Sequence, residues 1–386
     1  MKTLVTSLLL CCFSLLILPM NAQDKVQQEI MKRATGLFEQ GKHLEALPDF
    51  RQLLSSSPED VELNFYYGTC LISSDEDPDE AVKHLSFASK KKSVDQRVNY
   101  YLGLALHMDY RFSEAEKAYM KFMETADPKL RANFPEISRL ISMSQNGKNL
   151  LNNIKDIKVI SKTESTASDF FRSYDLSNVG GAVITVPEEL LSSEDKKRGH
   201  RPLMHYDQSR TMCYFSSYGK GGDLNIYEAV RGSNGSFSKP VIVAGDVNTV
   251  FDEDYPFMHS DGRTLYFSSK GHNSMGGYDI FSSVMDPSSG LFERAENLDF
   301  AISSAEDDIF YVVDKARVWA NFASNRNSQA GRLHVYQVKV SDSPLELVLV
   351  SGKVKNEVGG LAAARIKVVD AKTEQVLGVY QTDTNG

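Results

Sequence analysis

The chain contains 386 residues, of which 41% are hydrophobic and 24% are charged, and it carries a formal net charge of −8 at pH 7. This length is too great for one ordinary core and indicates two or three domains, while the composition excludes disorder across the whole chain. The acidic balance argues against nucleic acid as a partner.

The N-terminal residues have the pattern of a secretory signal peptide. A positive charge precedes an apolar run from residue 4 to residue 18, and the small residue Ala22 follows. This pattern predicts export, with residues 1–22 removed. A retained membrane anchor is one alternative, but the run is shorter than the roughly 20 residues that span a bilayer. Lipid attachment at Cys11 or Cys12 is another, and it is disfavoured because apolar sequence continues past both cysteines.

A repeat of helical pairs follows the signal peptide. Small residues recur at intervals of 34 and 35 residues, and each is followed 12 or 13 residues later by an alanine. Paired helices cross closely at such positions, where a larger side chain would force them apart. The pattern resembles the tetratricopeptide repeat and predicts an α-helical array over residues 24–153. The positions that carry it are Ala34, Ala46, Gly68, Ala81, Gly103 and Ala115.

The concave face of such an array would bind a peptide or a partner protein, which makes it the candidate interaction surface. Four tyrosines could serve either this face or the packing between repeats. Packing is the preferred interpretation, because aromatic side chains commonly fill such cores. The four are Tyr66, Tyr67, Tyr100 and Tyr101.

From residue 154 the helical period gives way to short runs rich in β-branched and aromatic residues, separated by Gly, Asn, Asp and Ser. An aromatic strand recurs at intervals of 52 and 55 residues, centred on Phe215, Phe267 and Phe322. A turn aspartate precedes each strand, and Gly262 supplies the positive φ that the second turn needs. The turn residues are Asp207, Asp261 and Asp314.

These repeats resemble the blades of the WD40-like, TolB-type propeller family, most closely in segment 253–281. Repeats of roughly 40 to 55 residues that each contain several strands are typical of propeller blades. The sequence therefore predicts an all-β propeller over residues 154–345, with an undecided number of blades.

No catalytic, cofactor-binding or metal-ligating residue is predicted. His205 and His259 follow Pro202 and Pro256 at the same offset, which would put them at the same edge of consecutive blades. With the acidic segment 252–254 they could bind a metal, but the close ligand spacing of a metal site is missing. The sequence also lacks the motifs of serine hydrolases, zinc proteases and phosphate-binding loops. It therefore favours a protein that is not an enzyme.

Residues 346–386 contain three predicted strands that resemble the opening half of a carboxypeptidase-regulatory-like β-sandwich, a non-catalytic module. A complete sandwich needs roughly 80 to 100 residues. The sequence is therefore expected to stop within this last domain.

Together these segments predict an α+β multidomain chain. Their order resembles the OmpA-family, PorE-like periplasmic components of the type IX secretion system of Gram-negative bacteria. The resemblance implies a periplasmic, outer-membrane-associated scaffold that binds protein partners in the envelope and uses no cofactor. It implies attachment to peptidoglycan only through a C-terminal domain of a longer parent. The alternatives are a periplasmic or surface module whose propeller binds a glycan or peptide, and an enzyme with a pocket in the propeller.

Overall fold

The computed structural model describes residues 20–74, 78–91, 93–151, 155–207, 209, 211–219, 221–329, 331–344, 354–356, 363–369 and 376–382. The chain forms two compact units, Met1–Pro344 and Leu345–Gly386. The predicted signal peptide lies outside the described residues except for 20–22, with which the first helix begins. Within the described ranges, no helix is both long enough and apolar enough to cross a membrane.

The N-terminal part of the first unit is helical, and neighbouring helices pack on one another around a continuous apolar core. Gly41, with a φ of 74°, follows the first helix. The Asp60 carboxylate accepts a hydrogen bond from the Leu63 N–H at 2.9 Å and so begins the third. The helices are α1 (Met20–Glu39), α2 (His43–Ser56), α3 (Val61–Leu71), α4 (Pro78–Ala88), α5 (Val98–Met108), α6 (Phe112–Thr125), α7 (Pro128–Arg131) and α8 (Ile137–Leu150).

Helices α3 and α5 form the centre of this helical part. Most of their residues are buried, because a neighbouring helix covers each side. A helix that is apolar all round is expected in such a place. The amphipathic helices α2, α4 and α6 pack outside them and keep one face in solvent.

The rest of the first unit is rich in strands. Two 3-10 turns (Phe170–Ser173 and Glu188–Leu190) and a short helix, α9 (Ser193–Arg198), lie between them. The strands are β1 (Lys155–Thr166), β2 (Ala182–Thr185), β3 (Leu203–Tyr206), β4 (Met212–Tyr218), β5 (Leu224–Val230), β6 (Val241–Ile242), β7 (Glu253–Met258), β8 (Thr264–Ser269), β9 (Asp279–Val284), β10 (Glu296–Asn297), β11 (Asp308–Val313), β12 (Trp319–Ser324) and β13 (Arg332–Pro344).

These strands form three antiparallel sheets. Sheet I has the order β2-β3-β4-β5-β6, sheet II the order β10-β9-β8-β7, and sheet III the order β1-β13-β12-β11. In the described residues none of the sheets closes on itself. Strand β1, the first of the region, pairs with β13, the last. This arrangement is compatible with the predicted propeller, which stays a prediction.

The predicted aromatic strands are β4, β8 and β12, and they occupy the same place in each sheet. Phe215, Phe267 and Phe322 are buried there. Each pairs across the ladder with an aromatic residue, respectively Tyr227, Phe281 and Tyr336, and the two rings are stacked in all three pairs. The repeat in the sequence therefore marks equivalent aromatic pairs in three successive sheets.

The second unit contains two described strands, β14 (Arg365–Val369) and β15 (Val376–Gln381), which pair antiparallel. They match two of the three strands expected after residue 346. The third expected strand, at 351–354, lies almost wholly outside the described residues. The β-sandwich assignment stays a prediction.

Candidate functional site

The small residues of the helical repeat lie where helices touch. Ala34, Ala46, Ala81 and Ala115 are buried. A Cβ on Gly68 would lie 2.8 Å from Leu85 Cγ. A Cβ on Gly103 would lie 2.9 Å from Tyr119 Cζ and closer still to two other carbons of that ring. Because real Cβ atoms do not approach so closely, these positions serve close packing of α3 on α4 and of α5 on α6.

The four tyrosines divide into two pairs. Tyr67 and Tyr100 are buried, and the Tyr100 hydroxyl donates a hydrogen bond to the Glu136 carboxylate at 2.6 Å. Tyr66 and Tyr101 are only partly buried. Tyr66 stacks on Phe50 with ring centroids 4.9 Å apart. All four tyrosines thus contribute to packing, and Tyr66 and Tyr101 also reach the surface of the array.

An acidic groove lies beside Tyr66. It has a volume of about 420 Å³ and is formed by the start of α3 and the segment that precedes α5. Two aromatic residues, Phe65 and Tyr66, and two valines form its apolar part. Its lining residues are Asp60, Val61, Glu62, Phe65, Tyr66, Ser93, Val94 and Asp95. Sequence reasoning missed this groove, because its carboxylates come from two separate repeats.

A second hollow, of about 340 Å³, shares Asp60 and Glu62 with the acidic groove and extends onto α1 and α2. Among the described residues that line either hollow, there is no Lys, Arg or His. Burial, together with the nearby Glu62 carboxylate, raises the pKa of Tyr66 to about 12, so this hydroxyl stays neutral. It donates a hydrogen bond to Glu62 at 3.3 Å. The surface therefore offers fixed negative charge beside aromatic rings.

A cation close to the groove, Arg97, already has partners of its own. Its guanidinium lies over the rings of Phe38 and Phe65, 5.5 and 5.7 Å from their centroids. It also forms ion pairs with Asp95 at 2.8 Å and Glu39 at 3.1 Å. Arg97 thus offsets the charge of Asp95, whereas Asp60 and Glu62 form no ion pair with any residue that the structure describes.

The helices are joined to sheet II through the glycine-rich loop between β8 and β9. His107 of α5 donates from Nε2 to the Met275 carbonyl at 2.7 Å and accepts at Nδ1 from the Ser144 hydroxyl at 2.9 Å. From α8, the Arg139 guanidinium donates to the Lys270 carbonyl at 2.9 Å. The two parts, which the sequence predicts as separate domains over 24–153 and 154–345, thus pack within one unit.

We expect this junction to weaken in acid. Burial lowers the pKa of His107 to about 4, so the folded protein keeps the ring neutral while an unfolded chain, with a pKa near 6.5, takes up a proton. The stabilising contribution is therefore complete above about pH 6.5 and is lost as the pH falls towards 4. Melting temperatures measured between pH 7 and pH 4.5 should fall more steeply in the wild type than in His107→Gln. Parallel curves for the two proteins would contradict this expectation.

The turn aspartates cap the hairpins of the three sheets. Asp207 Oδ1 accepts hydrogen bonds from the backbone N–H groups four and five residues later, at 3.0 and 3.2 Å. Asp314 Oδ1 does the same at 2.7 and 3.0 Å. Asp261 Oδ1 instead serves residues two and three positions later, Arg263 and Thr264, and Gly262 follows it with a φ of 69°. Hairpin capping thus explains these residues without a ligand.

The expected equivalence of His205 and His259 is wrong. His205 lies in β3 and pairs with Tyr214, whereas His259 follows β7, in the hairpin, at the position that Asp207 and Asp314 hold in the other sheets. The residue of β7 that corresponds to His205 is Phe257, because each of the two pairs with a tyrosine, Tyr214 and Tyr266 respectively, so His259 lies two residues further along the chain.

Each histidine has a packing role. His205 is buried and accepts at Nδ1 from the Met258 N–H at 3.2 Å. His259 bridges two hairpins through Nε2 and the Asp314 carbonyl, 3.2 Å apart. Within the described residues, no group of three or more His, Cys, Asp or Glu could hold a metal ion.

The comparison with known proteins bears on the helices. Residues 31–76 match the tetratricopeptide repeat family. No curated protein matches the chain. The matched residues include α2, α3 and the Asp60–Glu62 side of the acidic groove. Tetratricopeptide repeats generally mediate protein–protein interactions, so the N-terminal helices contain a module of that kind, followed by a region of antiparallel sheets.

Proposed function

We propose that this protein is a non-catalytic scaffold whose helical array binds a positively charged segment of a partner protein in the acidic groove. The proposal rests on the position of two carboxylates, Asp60 and Glu62, which form no ion pair within the described residues, beside the partly exposed ring of Tyr66. A lysine or arginine side chain could pair with a carboxylate and lay its apolar stem on the ring.

The cellular setting is part of the same proposal. The signal-peptide pattern of residues 1–22 and the order of repeats support a periplasmic protein that joins components of an outer-membrane secretion complex. A longer parent would also attach to peptidoglycan. The junction of helices and sheets supports a scaffold in particular, because Arg139 and His107 hold the binding groove in a constant orientation to the sheets.

The test is the double substitution Asp60→Asn with Glu62→Gln. Both changes remove charge and keep shape, and asparagine still caps α3. Cells that produce the variant are cross-linked, and the proteins recovered with it are quantified against wild type. We expect a several-fold loss of the partner, since each exposed charge pair contributes about 0.2–1 kcal/mol. Wild-type recovery should also fall as salt is raised.

The matched control is Glu29→Gln with Glu124→Gln, which makes the same change in net charge at exposed positions outside the groove. It should leave recovery unchanged. Equal recovery with both double variants and wild type would refute the acidic groove as the binding site. Recovery of a groove-dependent partner that is unrelated to secretion would refute the cellular setting and leave the groove intact.

A further inference from the structure

Another cleft, away from the two hollows of the helical array, lies between sheet III and the loop 175–179 and has a volume of about 290 Å³. Trp319 and Asn321 are two residues apart on β12 and therefore point to the same face. Gln337 of β13 pairs directly with Asn321 and shares that face. Asp175 and Asn178 line the cleft from the loop. We call it the Trp319 cleft.

Both walls of the Trp319 cleft are held in place. The Asn178 carbonyl accepts a hydrogen bond from the Lys315 N–H at 3.1 Å. Just before the loop, the Tyr174 hydroxyl donates to the Phe310 carbonyl at 2.9 Å. The cleft is therefore preformed, as small-molecule sites usually are.

At this cleft, sheet III differs from the equivalent positions of sheets I and II. The position of Asn321 is held in sheets I and II by Tyr214 and Tyr266, which belong to apolar clusters. In sheet III an amide takes the place of that ring. Strand β1 also carries a bulge at Ile160, a residue of the cleft wall. Bulges are frequent next to functional sites because they redirect side chains.

The lining has a distinctive chemistry. The Trp319 side chain is 42% exposed, which is unusual for so large an apolar group. The cleft is also lined by three residues with carboxamide side chains, Asn178, Asn321 and Gln337, and by two with carboxylate side chains, Asp175 and Asp314. Among the described lining residues there is no Lys, Arg or His, and the nearby Lys339 pairs with Trp319 across the ladder. Asn321 is nearly buried, and its Nδ2 donates only a long hydrogen bond, 3.5 Å, to the Asp175 carbonyl.

We propose that the Trp319 cleft binds a neutral sugar unit of a glycan. A pyranose ring has an apolar C–H face that can lie on the indole, and hydroxyl groups that both donate and accept. Amide and carboxylate groups around an aromatic plate match that combination, as polar groups in ligand sites fix orientation while apolar ones supply contact. This site is separate from the acidic groove and does not depend on it.

Trp319 is the only tryptophan of the chain, so its fluorescence reports on this cleft alone. The whole chain is titrated with glucose, galactose, mannose and N-acetylglucosamine, and separately with glucuronate and N-acetyl-lysine methylamide. We expect a saturable change with at least one neutral sugar. The affinity should fall about tenfold in Asn178→Ala and in Gln337→Ala, the effect of losing one or two hydrogen bonds.

Asn133→Ala, at an exposed asparagine outside the cleft, is the matched control and should bind like the wild type. Melting temperatures verify that each variant is folded. Three results would overturn the proposal: no saturable change with any neutral sugar, equal affinity in the cleft variants and wild type, or a response to the lysine derivative only.

Discussion

Replacing Gly103 with leucine is expected to lower the free energy of unfolding by about 3 kcal/mol, the upper end of the usual cost of overpacking. A Cβ at this position already meets the ring of Tyr119, which is completely buried, so a leucine side chain would force the ring or the helices apart. Because the helices are joined to sheet II through Met275, the loss should appear in the main unfolding transition of the first unit. Chemical denaturation followed by circular dichroism measures it.

Gly36→Leu is the matched control. Gly36 is also helical, but a Cβ there has no atom within 4 Å. Leucine should therefore stabilise α1 by about 0.5–1 kcal/mol, since glycine is a poor residue inside a helix. The same chemical change thus has opposite signs at the two sites. A gain in stability at both would show that α5 and α6 do not pack as closely as the structure has them.

The second large effect is expected for Phe267→Ala, with a loss of about 3–5 kcal/mol. Phe267 is 1% exposed and stacks on Phe281 with ring centroids 6.0 Å apart. It belongs to a core shared by residues of sheets I and II, among them Tyr214 and Met258, so a cavity there weakens both sheets. Thermal and urea unfolding of the purified variant measure the loss.

Phe251→Ala provides the comparison. Phe251 is 41% exposed, and its main described contact is with the Arg139 guanidinium, 5.3 Å from the ring centroid. The loss should stay near 0.5–1 kcal/mol, the typical value of an exposed cation–π pair. Similar losses for the two phenylalanines would contradict the assignment of Phe267 to the core.

The sequence predicted residues correctly where packing requires the same kind of residue at regular intervals along the chain. Gly68 and Gly103 could be found because each repeat requires a small residue at a helix crossing, and Phe215 and Phe267 because each sheet requires an aromatic pair. The acidic groove was not predictable in this way, because Asp60 and Asp95 come together only when two repeats stack. Acidic residues at these positions do not recur at a regular interval along the chain.

The mistaken pairing of His205 and His259 has a related cause. The prolines are 54 residues apart, whereas Tyr214 and Tyr266, which pair with β3 and β7, are 52 residues apart, so counting from the prolines sets the wrong register. Tyr255, within a bulge of β7, has a φ of 52°, and Phe310 has a φ of 53° at the corresponding bulge of β11. Positive φ at aromatic residues is uncommon, so sequence patterns rarely signal it.

The pairing of β1 with β13 determines when the strand-rich region can be completed. Strand β1 is synthesised first, yet its partner residues lie beyond position 331. Such distant contacts require the closure of a long loop, which slows folding, whereas the helical repeats depend on neighbours along the chain. The helices can therefore fold while the chain is still emerging, and β1 presents an unpaired edge until almost the whole first unit has been made.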